Sequence, residues 1–326
     1  MRIMGKNYYI FSSGHLRRRQ NTLFLEGEKG KKPIPVEGVE QIFLFGEIAL
    51  NTKLLNFLSQ KGIVLHVFNY YGFYSGSFYP KESLLSGTLV VRQVEHYLDK
   101  EKRLFIAKKF VESSLHNMKR NLEKREGFYQ QIEKIKEAVD RVSHVGSINE
   151  LMLAEAYGRR VYFSCWEQIT GWEFGERSMR PPRNPLNALI SFGNSMLYAL
   201  ILREIYMTAL NPTVSYLHEP GARRFSLALD VSEVFKPILV DKVIFRMVDR
   251  GQLKEEDFLE EPEFVYLGEK GRKAFIRELD AQLEKTILHR ALRRRIKYKN
   301  LIRLELYKLI KHLLGEKIYK PLKVWW

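Results

Sequence analysis

The stretch SYLHEPGARRFSLALDVSEVFKP, residues 215–237, sets the imidazole of His218 ahead of two carboxylates, Asp230 and Glu233. Residues three apart on a helix project from one face, so Asp230 and Glu233 can converge on one point. Like charges so placed repel unless a cation joins them, although such a pair also suits a solvated helix start, where acidic groups complement the macrodipole. His218 lies at a polar break between an apolar segment ending near Leu210 and the segment RRFSLAL, a place from which a side chain can project into a cleft or simply bond its own loop. Neighbouring Glu219 is a possible substitute ligand. A third carboxylate, Glu155, stands in NELMLAEAYGRRVYFSCW among Leu151, Met152, Ala154, Ala156, Val161, Tyr162 and Phe163. Burying an unpaired carboxylate is expensive, so Glu155 needs a partner: Arg159 or Arg160 in an ion pair, or a metal. Three carboxylates and one imidazole form a hard-to-borderline donor set, suited to Mg²⁺ or Mn²⁺ and poorly suited to structural zinc. Such a metal would neutralise a phosphodiester and lower the pKa of an attacking water or hydroxyl.

The surroundings supply the opposite charge. Of 326 residues, 54 are Lys or Arg and 38 are Asp or Glu, a formal charge of +16. A surplus of this size attracts polyanions, with nucleic acid the first expectation and an anionic membrane surface the rival. The loop RSMRPPRNPLN, residues 177–187, is broken by prolines and is expected to expose Arg177, Arg180 and Arg183 as phosphate contacts. Between Lys285 and Lys320 twelve basic residues face two glutamates. That stretch reads as basic helices packed through Leu306, Leu309, Ile310 and Leu313, with Arg293, Arg294 and Arg295 as a second phosphate-binding cluster. A single cysteine, Cys165, excludes a disulfide framework and any multi-thiolate site. Apolar runs fall short of the roughly 20 residues that cross a bilayer, and the start MRIMGKNYYIF is too polar for a signal peptide. A cytoplasmic protein without a membrane partner is the expectation.

The elements that must position these residues change character along the chain. NYYIFS, NTLFLE, QIFLFG, GIVLHVFN and FYSGSFY read as strands, with Asn51 and Thr52 capping a short helix through LLNFLSQ that stops at Gly62. After PKESLLSG, apolar residues such as Leu104, Ala107, Phe110, Val111 and Leu115 recur at helical spacing. The fold class is therefore α+β, with a small β-rich N-terminal domain (1–85) followed by a larger, mainly helical domain (86–326).

Taken in order, YYIFSSGHLRRRQNTLFLE, IPVEGVEQIFLFGEIALNTKLLNFLSQKGIVLHVFNYYGFYSG, MLAEAYGRRVYF, RPPRNPLNALISFGNSMLY and SYLHEPGARRFSLALDVSEVFKPILVD resemble the CRISPR-associated protein of the first, universal kind. That family comprises endonucleases and integrases that insert spacers into CRISPR arrays, and the resemblance runs through nearly the whole chain. It implies Glu155, His218, Asp230 and Glu233 as catalytic metal ligands. Departures are Ala156, where a glycine is usual, and Asn184, where an aspartate is common after the diproline. The implied reaction is a transesterification on double-stranded or branched DNA, in which a 3′-hydroxyl attacks a backbone phosphorus; water in its place gives hydrolysis. The resemblance also implies a homodimer formed through the N-terminal domain, and makes residues 86–326 an all-α, metal-dependent catalytic and DNA-binding domain. Its implied partner is the small ferredoxin-like second CRISPR-associated protein, with two dimers flanking one partner dimer. The alternative is a non-enzymatic basic DNA-binding scaffold. Trp325 and Trp326 have no evident role in the sequence.

Overall fold

A computed structural model describes residues 6–28, 30–81, 84–179, 181–221, 225–290 and 292–326. The chain divides into two compact units, Met1–Ser83 and Leu84–Trp326.

The smaller unit is built on two sheets and one helix. In the first sheet β1 (Lys6–Ile10), β5 (Val39–Leu44) and β7 (Val64–Phe68) run parallel, and β8 (Tyr74–Phe78) returns antiparallel to β7. The second sheet has the order β4 (Gly30–Ile34), β3 (Thr22–Gly27), β2 (Gly14–Arg19), β6 (Ile48–Ala49). Helix α1 (Thr52–Lys61) starts where Asn51 accepts the Leu54 N–H and stops at Gly62, whose φ of 69° suits a residue without a Cβ. Ile10, Leu16, Leu23, Ile42, Leu54, Phe57, Leu58 and Leu65 join the sheets and helix in one core. Strands β2 and β4 carry no apolar run in sequence. β2 buries Leu16 alone, while Arg18 lies over the Phe57 ring at 4.2 Å and Glu26 on β3 pairs with Arg17 and Arg19. β4 is an edge strand, where Pro33 costs no ladder bond that matters.

The larger unit is mostly helical. Its helices are α2 (Gly87–Leu98), α3 (Lys100–Leu122), α4 (Tyr129–His144), α5 (Ile148–Phe163), α6 (Trp166–Thr170), α7 (Pro185–Tyr206), α8 (Ser226–Phe235), α9 (Lys242–Asp249), α10 (Glu269–Glu284) and α11 (Tyr298–Leu313). It is not all-α. Two hairpins interrupt it, β9 (Phe258–Glu261) with β10 (Phe264–Leu267), and β11 (Thr286–His289) with β12 (Arg294–Lys297). The second hairpin lies inside the stretch expected to be basic helices. Its strands have four residues each, too short for a period-two pattern to declare itself against Arg-rich composition.

Helix α7 is long and apolar enough to cross a membrane by length and composition, yet 72% of its apolar window is buried inside the protein. It is a core helix: its buried Glu204 accepts from Arg203 and, at 2.7 Å, from Arg303 of α11, so that even its charged groups are paired inside the protein. Between α8 and α9 the chain opens into a π-helical turn, Lys236–Asp241. Pro237 lacks the N–H that an α-helix requires there, and α3 compensates: Asn117 and Asn121 donate to the carbonyls of Val234 and Pro237 at 3.0 and 2.9 Å. The C-terminal segment docks on the same helix. Asn117 also receives the Val324 N–H at 2.9 Å, and Ser113 and His116 bond the carbonyls of Leu322 and Val324. The terminal tryptophans end against the second hairpin's surroundings, Trp325 beneath the Arg290 guanidinium and Trp326 edge-on to Tyr298.

Candidate active site

Helix α5 brings the first carboxylate. Ser147 caps it by accepting the Glu150 N–H, and Gly158 lets it approach α3 and α4, since a Cβ there would meet Leu115 at 2.5 Å and Ala138 at 3.1 Å. This close seating buries Glu155 to 8% exposure. Its partner is the Arg159 guanidinium, whose Nε donates to Glu155 Oε1 at 2.8 Å, the ion-pair option that the sequence left open. The same guanidinium reaches across to α8, where its terminal nitrogen meets Glu233 Oε2. Glu233 is 3% exposed and takes a second cation, Lys236, on Oε1 at 2.6 Å. Two carboxylates from different helices thus converge on one cationic centre.

Asp230 has a different place. It is wholly buried, and its two oxygens accept four hydrogen bonds, from the N–H groups of Tyr216 (2.7 Å), Leu217 (2.9 Å) and His218 (3.0 Å) and from His218 Nδ1 (2.8 Å). A carboxylate offers about four lone-pair directions, so in this arrangement none is left for a metal. Of the four expected ligands, Asp230 is the one whose oxygens are taken up by the loop before α8. Asp230 folds the loop before α8 around itself and orients the imidazole, with Nδ1 committed and Nε2 left for a ligand. Glu219 turns away instead, bonded to Tyr97 at 2.9 Å and Arg103 at 2.7 Å.

The π-helical turn contributes two groups that composition did not single out. Burial pushes the Lys236 ammonium down to about 7, and Arg159 adds to that shift while Glu155 opposes it. Burial pushes the Asp241 carboxyl up to about 7, against the hydrogen bond it accepts from Tyr162 at 3.0 Å and the nearby cations of Arg159, Lys236 and Arg177. Asp241 was findable by the logic that found Glu155, a lone acid inside the apolar run PILVDKVIF. Lys236 was legible as the i+3 neighbour of Glu233 just ahead of a helix-disrupting proline.

The expected phosphate contacts fall into distinct settings. Arg177 is not exposed on its loop. Its guanidinium turns inward, donating to Asn187 Oδ1 at 2.8 Å and Ser191 Oγ at 3.2 Å, and burial lowers its pKa to about 10 with Arg159 the next cause. Asn184 supports this loop in a way an aspartate could not: it accepts the Asn187 N–H and also donates Nδ2 to the Phe174 carbonyl at 2.6 Å. Arg183 is exposed, and Arg180 lies outside the described residues. Arg293, Arg294 and Arg295 are exposed at the tip and second strand of the β11–β12 hairpin, where Arg293 adopts a φ of 49°.

Among the described residues, no three His, Cys, Asp or Glu side chains stand together as a ready ligand cluster. The donor chemistry nevertheless fits a hard divalent cation. Glu155 and Glu233 already share one cation, and His218, held by Asp230 one helical turn from Glu233, offers a neutral nitrogen.

A family model described as CRISPR associated protein Cas1 matches residues 8–281. Over 322 residues the chain is 61% identical to a CRISPR-associated endonuclease Cas1 of Moorella thermoacetica, covering 98% of this chain and 100% of the relative. A solved CAS1 protein from Thermotoga maritima shares the fold with a TM-score of 0.89 and 41% identity, over 96% of this chain and 99% of its own. A casposase bound to integration product has the same fold, with a TM-score of 0.86 at 20% identity over 98% and 94% of the two chains.

Proposed function

Because the chain belongs to the CRISPR-associated Cas1 family, we propose that it cuts and joins DNA at the site carried by α5, α8 and the loop between α7 and α8. The observation that carries this reading is the convergence of Glu155 and Glu233 on one cation, one turn of α8 from the buried aspartate that fixes Nδ1 of His218. Glu155, Glu233 and Nε2 of His218 would hold Mg²⁺ or Mn²⁺, with Asp230 behind the histidine. The ion, when bound, supplies charge neutralisation of a phosphodiester and acidifies the attacking hydroxyl.

The chain's own residues do the rest. Asp230 fixes the imidazole tautomer and ring plane. Arg177, held by Asn187 and Ser191, directs fixed positive charge at the place where negative charge grows on the phosphorus oxygens. The 3′-oxygen of a spacer precursor forms a bond to phosphorus, the bond to the 3′-oxygen of the resident strand breaks, and that oxygen leaves protonated. With water as nucleophile the same exchange is hydrolysis. Exposed Arg183 and the hairpin arginines Arg293, Arg294 and Arg295 hold flanking phosphates without reading sequence. Family membership supports double-stranded and branched DNA as substrate in the cytoplasm. It also supports a homodimer through the β-rich unit, and assembly with a small ferredoxin-like second CRISPR-associated protein.

Glu155→Gln and Glu233→Gln test the reading on a branched DNA substrate with Mn²⁺, Mg²⁺ or EDTA, following binding and strand cleavage or joining together. Each is expected to lower metal-dependent rates by more than about 100-fold while DNA affinity changes little. Binding without cleavage or joining in the unaltered chain, repeated with the small partner present, would make the protein a scaffold.

A further inference from the structure

Arg159 is a side chain that neither a metal site nor a plain core requires. Its Nε bonds Glu155 Oε1 at 2.8 Å one turn away on the same helix, and its terminal nitrogen meets Glu233 Oε2 on another. Both acids are buried, so their mutual repulsion is poorly screened and a cation between them is needed for the cluster to exist. Arg159 bridges the two acids and Lys236 takes the other oxygen of Glu233, so the carboxylate oxygens that a divalent ion would need are already held by resident side chains. A divalent cation seeking the same oxygens competes with the Arg159 guanidinium for them.

Resting on the reading that Glu155 and Glu233 hold the metal, we propose that Arg159 is the resident counter-ion of this pair, a positioning residue displaced from it when the divalent ion binds. In the metal-free chain it keeps the two carboxylates facing each other. Once displaced, its guanidinium is a bidentate donor beside the metal, matched to a phosphodiester. A guanidinium that merely buttressed the ligands would behave in the opposite sense, since removing it would loosen the site and weaken metal binding.

The test uses the full-length chain without DNA and Mn²⁺ alone as the probe. Free Mn²⁺ is followed by its paramagnetic resonance signal, and melting is recorded in parallel with EDTA and with saturating Mn²⁺. Arg159→Gln is expected to bind Mn²⁺ on the order of tenfold more tightly than the unaltered chain, as removal of one competing charge requires. It is also expected to melt earlier in EDTA, with the gap narrowing when Mn²⁺ saturates. Arg159→Lys, which keeps the charge without the fork, serves if the glutamine variant does not fold, and is expected to tighten binding by a smaller factor. Unchanged or weaker Mn²⁺ binding in the folded variant would overturn the proposal while leaving the metal site intact. Failure of the unaltered chain and both variants to bind Mn²⁺ would overturn the proposal and the metal reading together.

Discussion

At the scale of single residues, the carboxylates differ in what surrounds them, and that decides their work. Among the described residues, Glu155 and Glu233 are paired with side-chain cations, Arg159 and Lys236, which can be exchanged for another cation without unfolding a loop. Asp230 meets three backbone N–H groups and an imidazole, which cannot be exchanged without unfolding the loop. Asp230→Asn is therefore expected to destabilise the chain even without metal or DNA, by about 2–4 kcal/mol, because one amide oxygen cannot serve what two charged oxygens serve. Thermal melting in EDTA checks this, and a melting temperature equal to that of the unaltered chain would return Asp230 to the role of a free ligand. The types and spacing of these acids were legible in the sequence; their division of labour was not. Nothing in DVSE distinguishes the acid that faces the loop from the acid that faces α5, since that depends on how residues 216–218 fold back over α8. The same blindness applied to Arg177, whose inward turn depends on Asn187 and Ser191, ten and fourteen residues further on.

At the scale of elements, the turn after α8 is where the helix pattern yields to the site. Pro237 widens Lys236–Asp241 into a π-helical turn, and that widening carries Lys236 and Asp241 into the same charge cluster as Arg159. Burial sets the Asp241 pKa to about 7, well above its ordinary 3.8. The folded chain thus holds this proton more tightly than the unfolded chain does. The resulting stability is fully present below about pH 4 and is lost as pH rises through about 7. Asp241→Asn carries no proton to lose. Its melting temperature is expected to gain on that of the unaltered chain as pH rises from about 5 to about 8.5, a trend read from paired melts across that range. A constant difference would mean that the carboxyl stays ionised among its neighbouring cations throughout. Such a turn was only half legible, because a proline inside an apolar run announces a break without saying whether the helix ends, kinks or widens. The β11–β12 hairpin escaped for another reason: its four-residue strands, joined through an Arg-rich tip, carry less pattern than the helices on either side.

At the scale of the whole molecule, the formal charge of +16 is unevenly spent, and its unevenness makes a quantitative claim. Much of the positive charge in the larger unit is already matched, as in Lys109 with Glu112, Lys297 with Glu284, and Arg246 with Glu278. The arginines at Arg293, Arg294 and Arg295 are exposed on a hairpin instead of being packed, so phosphates can reach them. Each phosphate contact releases condensed counterions, and the slope of log affinity against log salt measures how many contacts form, at about 0.9 per phosphate on duplex DNA. Alanine at all three positions is expected to flatten that slope by up to about 2.7 while leaving the melting temperature nearly unchanged. The comparison is made with one duplex over a range of salt, because a single affinity cannot separate lost contacts from lost fold. An unaltered slope would move the duplex off the hairpin and onto the remaining basic surface, and Arg183 on the proline loop would then be the next position to alter. A flattened slope with unchanged cleavage per bound complex would separate the two kinds of positive charge in this chain: arginines that hold DNA from outside, and Arg159 and Arg177, whose guanidinium groups lie among the buried acids.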